Sequence, residues 1–148
     1  MENLSIKEAD RYDLPEVLRL LRELDLEGDK PMSQEEALRL FDRLGEYPDY
    51  KVYLARKEGE AVGTYALLIM DKLEHGGAPS GIVDSVAVSN TYQGQGIGKA
   101  MMLHAMQQCR EKGCYKLMLS SNKIRTDAHR FYEKLGFQMH GYSYAINV

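Results

Sequence analysis

The chain has 148 residues, of which 44% are hydrophobic and 28% are charged, and this composition is typical of one globular domain. Its net charge of −3 argues against a basic nucleic-acid-binding face. The longest apolar stretch, residues 61–70, is too short to cross a bilayer, and the first residues lack the basic and apolar regions of a signal peptide. We therefore expect a single cytoplasmic domain over residues 1–148, with neither nucleic acid nor membrane as a partner.

The first third of the chain predicts a strand and two amphipathic helices. Residues 4–7 alternate apolar and polar side chains, as a short strand does. Asp13, with Glu16 three residues later, indicates the N-cap of a first helix. Its apolar face would be formed by Leu14, Leu18 and Leu21.

Ser33 and Glu36 form a second capping-box pattern, and Gly45 suits the end of the helix that follows. The apolar side of this helix would consist of Ala37, Leu40, Phe41 and Leu44. The polar segment between the two helices, residues 27–32, contains Gly28 and Pro31, which interrupt a helix.

Three strands are predicted next. Residues 52–56 and 61–70 are strand-like, and the Glu58-Gly59 pair between them favours a hairpin turn. Residues 82–88 form the next strand, and strict alternation would place Asp84, Val86 and Val88 on one face.

The last third predicts a long helix, a strand and a final helix. The long helix follows residues 94–98 and extends to about Glu111, with His104 packed within it. A strand at 116–120 and a helix at 127–135 follow, and the alternation of Tyr142, Tyr144 and Ile146 indicates one or two closing strands. We expect an α/β (α+β) fold with a mixed central sheet of about six to seven strands and about four helices on both faces.

The two cysteines, Cys109 and Cys114, lack the number of a disulfide framework and the CxxC spacing of a metal site. We interpret them as free thiols at a helix end and in the turn after it. No spacing of His, Asp or Glu indicates metal ligands, so no metal site is predicted, although the sequence leaves open whether a divalent metal assists.

A glycine-rich turn at residues 93–99, Gln-Gly-Gln-Gly-Ile-Gly-Lys, follows a predicted strand and opens a predicted helix. Backbone N–H groups in this context can bind an anion, helped by the helix dipole. Ala100 stands where a P-loop needs Ser or Thr, and Lys99 stands where a dinucleotide fingerprint needs its third glycine. The remaining alternatives are another phosphate loop or a flexible turn.

Gln93-x-x-Gly96-x-Gly98 resembles the pyrophosphate-binding signature of the GNAT superfamily of acetyl-coenzyme A-dependent N-acetyltransferases. The sequence at 128–137, Ala-x-x-Phe-Tyr-Glu-Lys-Leu-Gly-Phe, is similar to the last helix and following strand of that family. The resemblance covers roughly residues 80–140, with both motifs in the family's order. Residues 119–123 and 125–132 look most similar to aminoalkylphosphonate N-acetyltransferases.

The resemblance implies a GNAT fold, a single N-acetyltransferase domain, acetyl-coenzyme A as the acetyl donor and direct transfer to a primary amine in a ternary complex. It implies coenzyme contacts at Val86, Ala87, Val88, Gln93, Gly94, Gln95, Gly96, Ile97, Gly98, Lys99, Asn122 and Tyr132. A backbone N–H near residues 86–88 would stabilise the oxyanion.

The resemblance also suggests two catalytic residues. Asp84 lies on the strand before the glycine turn and would act as general base through a water; alternatively it is a structural polar residue. Tyr132 stands at the family's position for the acid that protonates the leaving thiolate; alternatively its ring packs beside Phe131.

Three functions remain open. The first is acetylation of a small, in some cases anionic, amine, whose identity the sequence does not give. The second is acetylation of a protein or peptide amine, with residues 27–32 as a peptide-facing lip. The third is a non-catalytic acyl-coenzyme A sensor or oligomerising partner, and a homodimer is compatible with each.

Overall fold

The structure is a computed structural model that describes residues 3–24, 30–121 and 123–148. Two compact units, residues 1–118 and 119–148, can be distinguished. The predictions for Gly28, for part of the 27–32 segment and for Asn122 lie outside the described residues. The single domain over residues 1–148 stays a prediction.

Five strands form one mixed sheet in the order β1-β2-β3-β4-β5. The strands are β1 Leu4–Glu8, β2 Tyr50–Lys57, β3 Glu60–Met70, β4 Ser80–Val88 and β5 Lys116–Leu119. The helices are α1 Leu14–Glu23, α2 Gln34–Leu44, α3 Ile97–Glu111 and α4 Thr126–Lys134.

The cap of α1 lies one turn earlier than predicted. The side chain of Asp10 accepts hydrogen bonds from the backbone N–H groups of Tyr12 (2.9 Å) and Asp13 (3.2 Å). The carboxylate of Asp13 accepts from the N–H of Asp10 in return, at 2.9 Å. This capping box opens a short 3-10 turn that continues into α1, so Asp13 makes no side-chain cap of its own there.

The start of α2 and the β2–β3 hairpin confirm the sequence predictions. Ser33 and Glu36 exchange hydrogen bonds of 2.9 and 3.2 Å in a capping box, and the helix ends at Gly45. The hairpin turn holds Glu58 at φ 52° and Gly59 at φ 83°, the two left-handed conformations of a type I′ turn.

In residues 1–118, helices cover both faces of the sheet. On one face, Val17 and Leu20 of α1 pack with Leu54 and Ala87. On the other, the Tyr65 hydroxyl lies 2.6 Å from Nδ1 of His104 in α3, and the Tyr53 ring stacks on Tyr65 with centroids 5.1 Å apart. His104 is therefore packed within its helix, as predicted, and its burial lowers its pKa.

The predicted closing strands were wrong. Residues 137–148 adopt no strand, and the described sheet has five strands rather than six or seven. Tyr142, Tyr144 and Ile146 are 83%, 90% and 85% exposed. Alternation of apolar side chains predicts a strand only where another strand supplies backbone hydrogen bonds, and among the described residues this segment pairs with no strand.

Candidate active site

The central feature is an irregularity where β3 pairs with β4. Asp84 lies opposite Ala66 and Ala87 lies opposite Thr64, so Ser85 and Val86 together face the single residue Tyr65. This is a β-bulge, and Ser85 adopts φ 53°, in the left-handed region. A bulge takes one residue's N–H and C=O out of regular pairing, and it occurs often beside active sites.

The bulge corrects the predicted side-chain directions. Residues directly opposite in a ladder share a face, so Asp84 and Ala87 lie on the face of Ala66 and Thr64. Val88 pairs with Gly63 and therefore lies on the other face, toward α3. The predicted grouping of Asp84, Val86 and Val88 was wrong because one extra residue reverses the alternation after it.

A cavity of about 150 Å³ lies between α1, α2 and the face of the sheet that carries Asp84. Its lining comprises Leu14, Val17, Leu18, Leu21, Met32, Ala37, Leu40, Phe41, Leu44, Tyr50, Val52, Thr64, Tyr65, Ala66 and Ser85. Both apolar helix faces predicted from the sequence thus line one cavity.

Asp84 lies at the edge of this cavity. Its ladder partner Ala66 and its neighbour Ser85 both belong to the lining, and its side chain is exposed. Its Oδ1 accepts a hydrogen bond from the Ser85 N–H at 2.8 Å. Burial, followed by the charge of Asp84, raises the pKa of Tyr50, another lining residue. An exposed carboxylate beside an apolar cavity can bind an ammonium group or take its proton.

The glycine turn begins α3. Gly94 and Gly96 adopt φ 76° and 85°, which glycine tolerates best, and Gly96 is an N-cap that makes no side-chain hydrogen bond. The first intrahelical bond runs from the Ala100 N–H to the Gly96 carbonyl, at 3.0 Å. The N–H groups of residues 97–99 precede that bond and are available to an anion.

Several contacts fix the position of this turn. Ile97 is buried, which anchors the end of the turn. The Asn90 N–H donates to Glu23 of α1 at 3.0 Å, and the Tyr92 hydroxyl donates to Glu60 at 2.6 Å. The turn between β4 and α3 is thus connected to α1 and to the β2–β3 hairpin.

The turn also has cations near it, despite the net negative charge of the chain. Lys57 Nζ donates to Gln95 Oε1 at 3.3 Å, and Lys99 is exposed in the first turn of α3. The Gln93 amide donates to the Val88 carbonyl at 3.4 Å, and so connects the turn to the end of β4. Two lysines and a row of N–H groups are chemically suited to a diphosphate.

Tyr132 lies in α4, in the second compact unit. Its ring makes edge contacts with Phe131, with centroids 5.1 Å apart, and with Phe137, at 5.8 Å. Burial raises its pKa, against an opposing effect of Arg125, so the phenol keeps its proton at neutral pH. Both predicted roles, proton donor and packing partner, are compatible with this environment.

The structure thus brings part of the predicted site together. Asp84, residues 86–88 and residues 93–99 follow one another on β4, its exit turn and the start of α3. Ser85 and Tyr50 were missed. Ser85 has no sequence signal, because the bulge depends on strand pairing, whereas the two apolar helix faces could have indicated the cavity.

Comparison with known proteins gives the family. The profile described as the acetyltransferase (GNAT) family matches residues 15–137. The chain belongs to that family. The match includes the bulged strand, the glycine turn and Tyr132.

Named relatives agree with this assignment. The chain is 39% identical over 90 residues to glucosamine 6-phosphate N-acetyltransferase of Trypanosoma brucei brucei, covering 61% of this GNAT chain and 59% of the relative. It is 33% identical over 91 residues to aminoalkylphosphonate N-acetyltransferase of Salmonella typhimurium, covering 62% and 58%. The matched region thus spans less than two thirds of these relatives' lengths.

A solved acetyltransferase from Trypanosoma brucei has the same fold. It superposes with a TM-score of 0.85 and 30% identity over 98% of this GNAT chain and 99% of that chain. The predicted fold family is therefore confirmed.

Two further findings concern the described residues only. Within residues 3–24, 30–121 and 123–148, no three His, Cys, Asp or Glu side chains are grouped to hold a metal ion. None of the described helices combines the length and the apolar character that crossing a membrane requires.

Proposed function

We propose that this GNAT protein is an N-acetyltransferase that transfers the acetyl group of acetyl-coenzyme A to the primary amine of a small molecule. The supporting observation is the uncapped start of α3, where Gly94 and Gly96 leave backbone N–H groups free to bind the coenzyme's pyrophosphate. Residues Val86, Ala87, Val88, Gln93, Gly94, Gln95, Gly96, Ile97, Gly98, Lys99, Asn122 and Tyr132 are the proposed coenzyme contacts.

In the proposed mechanism the amine attacks the thioester directly. Asp84 draws a proton from the ammonium group, through a water, because only the free amine is nucleophilic. A backbone N–H near residues 86–88 stabilises the negative charge on the acetyl oxygen. Tyr132, whose raised pKa keeps it protonated, donates a proton to the departing thiolate.

Two alternatives are distinguished by simple observations. A protein or peptide acetyltransferase would modify peptides in preference to free amines. A non-catalytic sensor would bind acetyl-coenzyme A but release no coenzyme A thiol with any amine. The exposed Asp84 beside a small cavity supports the small-molecule enzyme over both.

A homodimer is part of the proposal, and the second copy is the partner of the tail at residues 141–148. Its alternating Tyr142, Tyr144 and Ile146 are largely exposed, and monomers seldom leave such a run in water. Period-2 alternation suits addition to another chain's sheet edge. Light scattering after size-exclusion chromatography should give a dimer for the full chain and a monomer for a chain ending at Gly141; a monomeric full chain would contradict it.

The coenzyme site is tested by calorimetry with acetyl-coenzyme A. Gly96→Glu places a side chain and a negative charge against the pyrophosphate and should abolish measurable binding. Gly113→Glu is the matched control, because Gly113 has a similar φ of 75° and lies beyond the opposite end of α3. Unchanged affinity in Gly96→Glu would show that the coenzyme binds elsewhere.

A further inference from the structure

The chemistry of the cavity indicates which kind of amine the enzyme accepts. We propose that the acceptor carries an apolar group about the size of a phenyl ring, which fills the cavity between α1, α2 and the sheet and places its amine beside Asp84. The inference rests on the proposed function, because it concerns the acceptor end of the same site.

The lining is mostly apolar. Both helices contribute hydrocarbon side chains, chiefly leucines, and the sheet contributes Val52 and Ala66. An apolar ligand that displaces water from such a surface binds favourably, because apolar area is removed from water.

Two of the polar lining residues already have hydrogen-bond partners within the protein. The Thr64 hydroxyl donates to the Tyr53 carbonyl at 2.8 Å, and the Tyr65 hydroxyl bonds to His104 at 2.6 Å. The other two hydroxyl-bearing lining residues are Tyr50 and Ser85. The charge of Asp84 contributes to the raised pKa of Tyr50, and the N–H of Ser85 donates a hydrogen bond to Asp84. The polar end of the cavity is therefore the end beside Asp84.

The charge of the cavity disfavours an anionic acceptor. Among the described residues that line it there is no Lys or Arg. A phosphate or phosphonate needs Arg, Lys or N–H donors, and burying it unpaired is costly. The names of the two relatives above describe acceptors with a phosphate or phosphonate group, and the described lining of this cavity offers no cation to bind such a group.

The size of the cavity sets the size of the apolar group. A cavity of about 150 Å³ lined by aliphatic and aromatic side chains holds a benzene ring in other proteins. The volume here is also about 150 Å³. A phenyl ring on a short alkyl chain would fill the apolar end and leave its amine at the exposed carboxylate.

The test compares four amines in a coenzyme A release assay at one pH: phenethylamine, ethylamine, 2-aminoethylphosphonate and glucosamine 6-phosphate. Burial of the ring should raise kcat/KM for phenethylamine about 10–100-fold over ethylamine. The two anionic amines should react no faster than ethylamine. Equal rates for phenethylamine and ethylamine, or a preference for either anionic amine, would overturn the inference.

Variants on one helix locate the effect. Leu40 lines the cavity and Leu38, also half-buried on α2, does not, so Leu40→Phe and Leu38→Phe form a matched pair. Leu40→Phe should bring the ratio of kcat/KM for phenethylamine to that for ethylamine close to one, while Leu38→Phe should leave this ratio at its wild-type value. If circular dichroism shows that Leu40→Phe is unfolded, Leu40→Ala decides: the enlarged cavity should shift the preference to naphthylethylamine. An unchanged preference in the folded variants contradicts the inference.

Failure of this inference differs from failure of the proposed function. If none of the amines causes release of coenzyme A, the acetyltransferase activity is contradicted. The cavity can still be tested in that case, by line broadening of the phenethylamine ring protons in NMR spectra with wild type and Leu40→Phe. Broadening should be lost in the variant, and absence of broadening in wild type overturns the inference independently.

Discussion

Asp84 and Ala66 lie directly opposite each other in the antiparallel pair of β4 and β3, on the face that α1 and α2 cover. Because Ala66 lines the cavity, this pairing places the carboxylate at the cavity's edge. The position depends on the bulge immediately after Asp84, which separates its face from that of Val88.

The role of Asp84 as base predicts a change in pH dependence. Asp84→Asn preserves size and removes the proton acceptor. We expect a lower kcat/KM, with the acidic limb of the pH profile moved up toward the intrinsic pKa of the amine, because free amine must then come from solution. Asp71→Asn, at an exposed carboxylate after β3, is the control. A wild-type rate and profile in Asp84→Asn would place the base elsewhere.

The role of Tyr132 as acid predicts a kinetic loss without a binding loss. Tyr132→Phe keeps the ring contacts with Phe131 and Phe137 and removes only the hydroxyl. We expect kcat to fall about 10²–10⁴-fold, with unchanged affinity for acetyl-coenzyme A by calorimetry. Tyr12→Phe, at a tyrosine that is 86% exposed, controls for loss of a phenol. If kcat is unchanged in Tyr132→Phe, the ring has only a packing role.

The backbone of Ser85 predicts an effect on stability. A residue at φ 53° is strained unless it is glycine, so Ser85→Gly should raise the free energy of unfolding by up to about 1 kcal/mol. Ser5 is also an exposed strand serine but is not in the left-handed region, and Ser5→Gly should lower that free energy. Urea unfolding of both variants measures the difference. A loss of stability in Ser85→Gly would show that Ser85 is not strained.

The burial of His104 predicts acid sensitivity. In the unfolded chain the imidazole binds a proton near pH 6.5, whereas in the folded protein its pKa is lower. Below pH 6.5 the unfolded state therefore binds more protons, and stability falls as the pH falls toward the folded-state pKa. His104→Asn should show a smaller loss of Tm between neutral and acidic pH than wild type. A titration of His104 by NMR at or above pH 6.5 would contradict this.

The sequence determined the elements whose signals are local. The capping box of Ser33 and Glu36, the Glu58-Gly59 turn and the end of α4 at Gly136 each depend on a few neighbouring residues, and all were predicted. The glycine turn at 93–99 could be predicted for the same reason, since strand, turn and helix start are contiguous. The same local reasoning placed the side-chain cap of α1 at Asp13, one turn after the residue that makes it, Asp10.

Only the tertiary structure decided which side chains share a face of the sheet. It also decided which segments pair with another strand. The bulge at Ser85 follows from the registers of two strands, and it moved Val88 away from the face of Asp84. Residues 137–148 include the alternation of a strand but gain no strand partner among the described residues. The cavity likewise exists because two helix faces and one sheet face meet. Alternation and amphipathicity report what one element can bury, whereas register and contact depend on distant residues that no local pattern specifies.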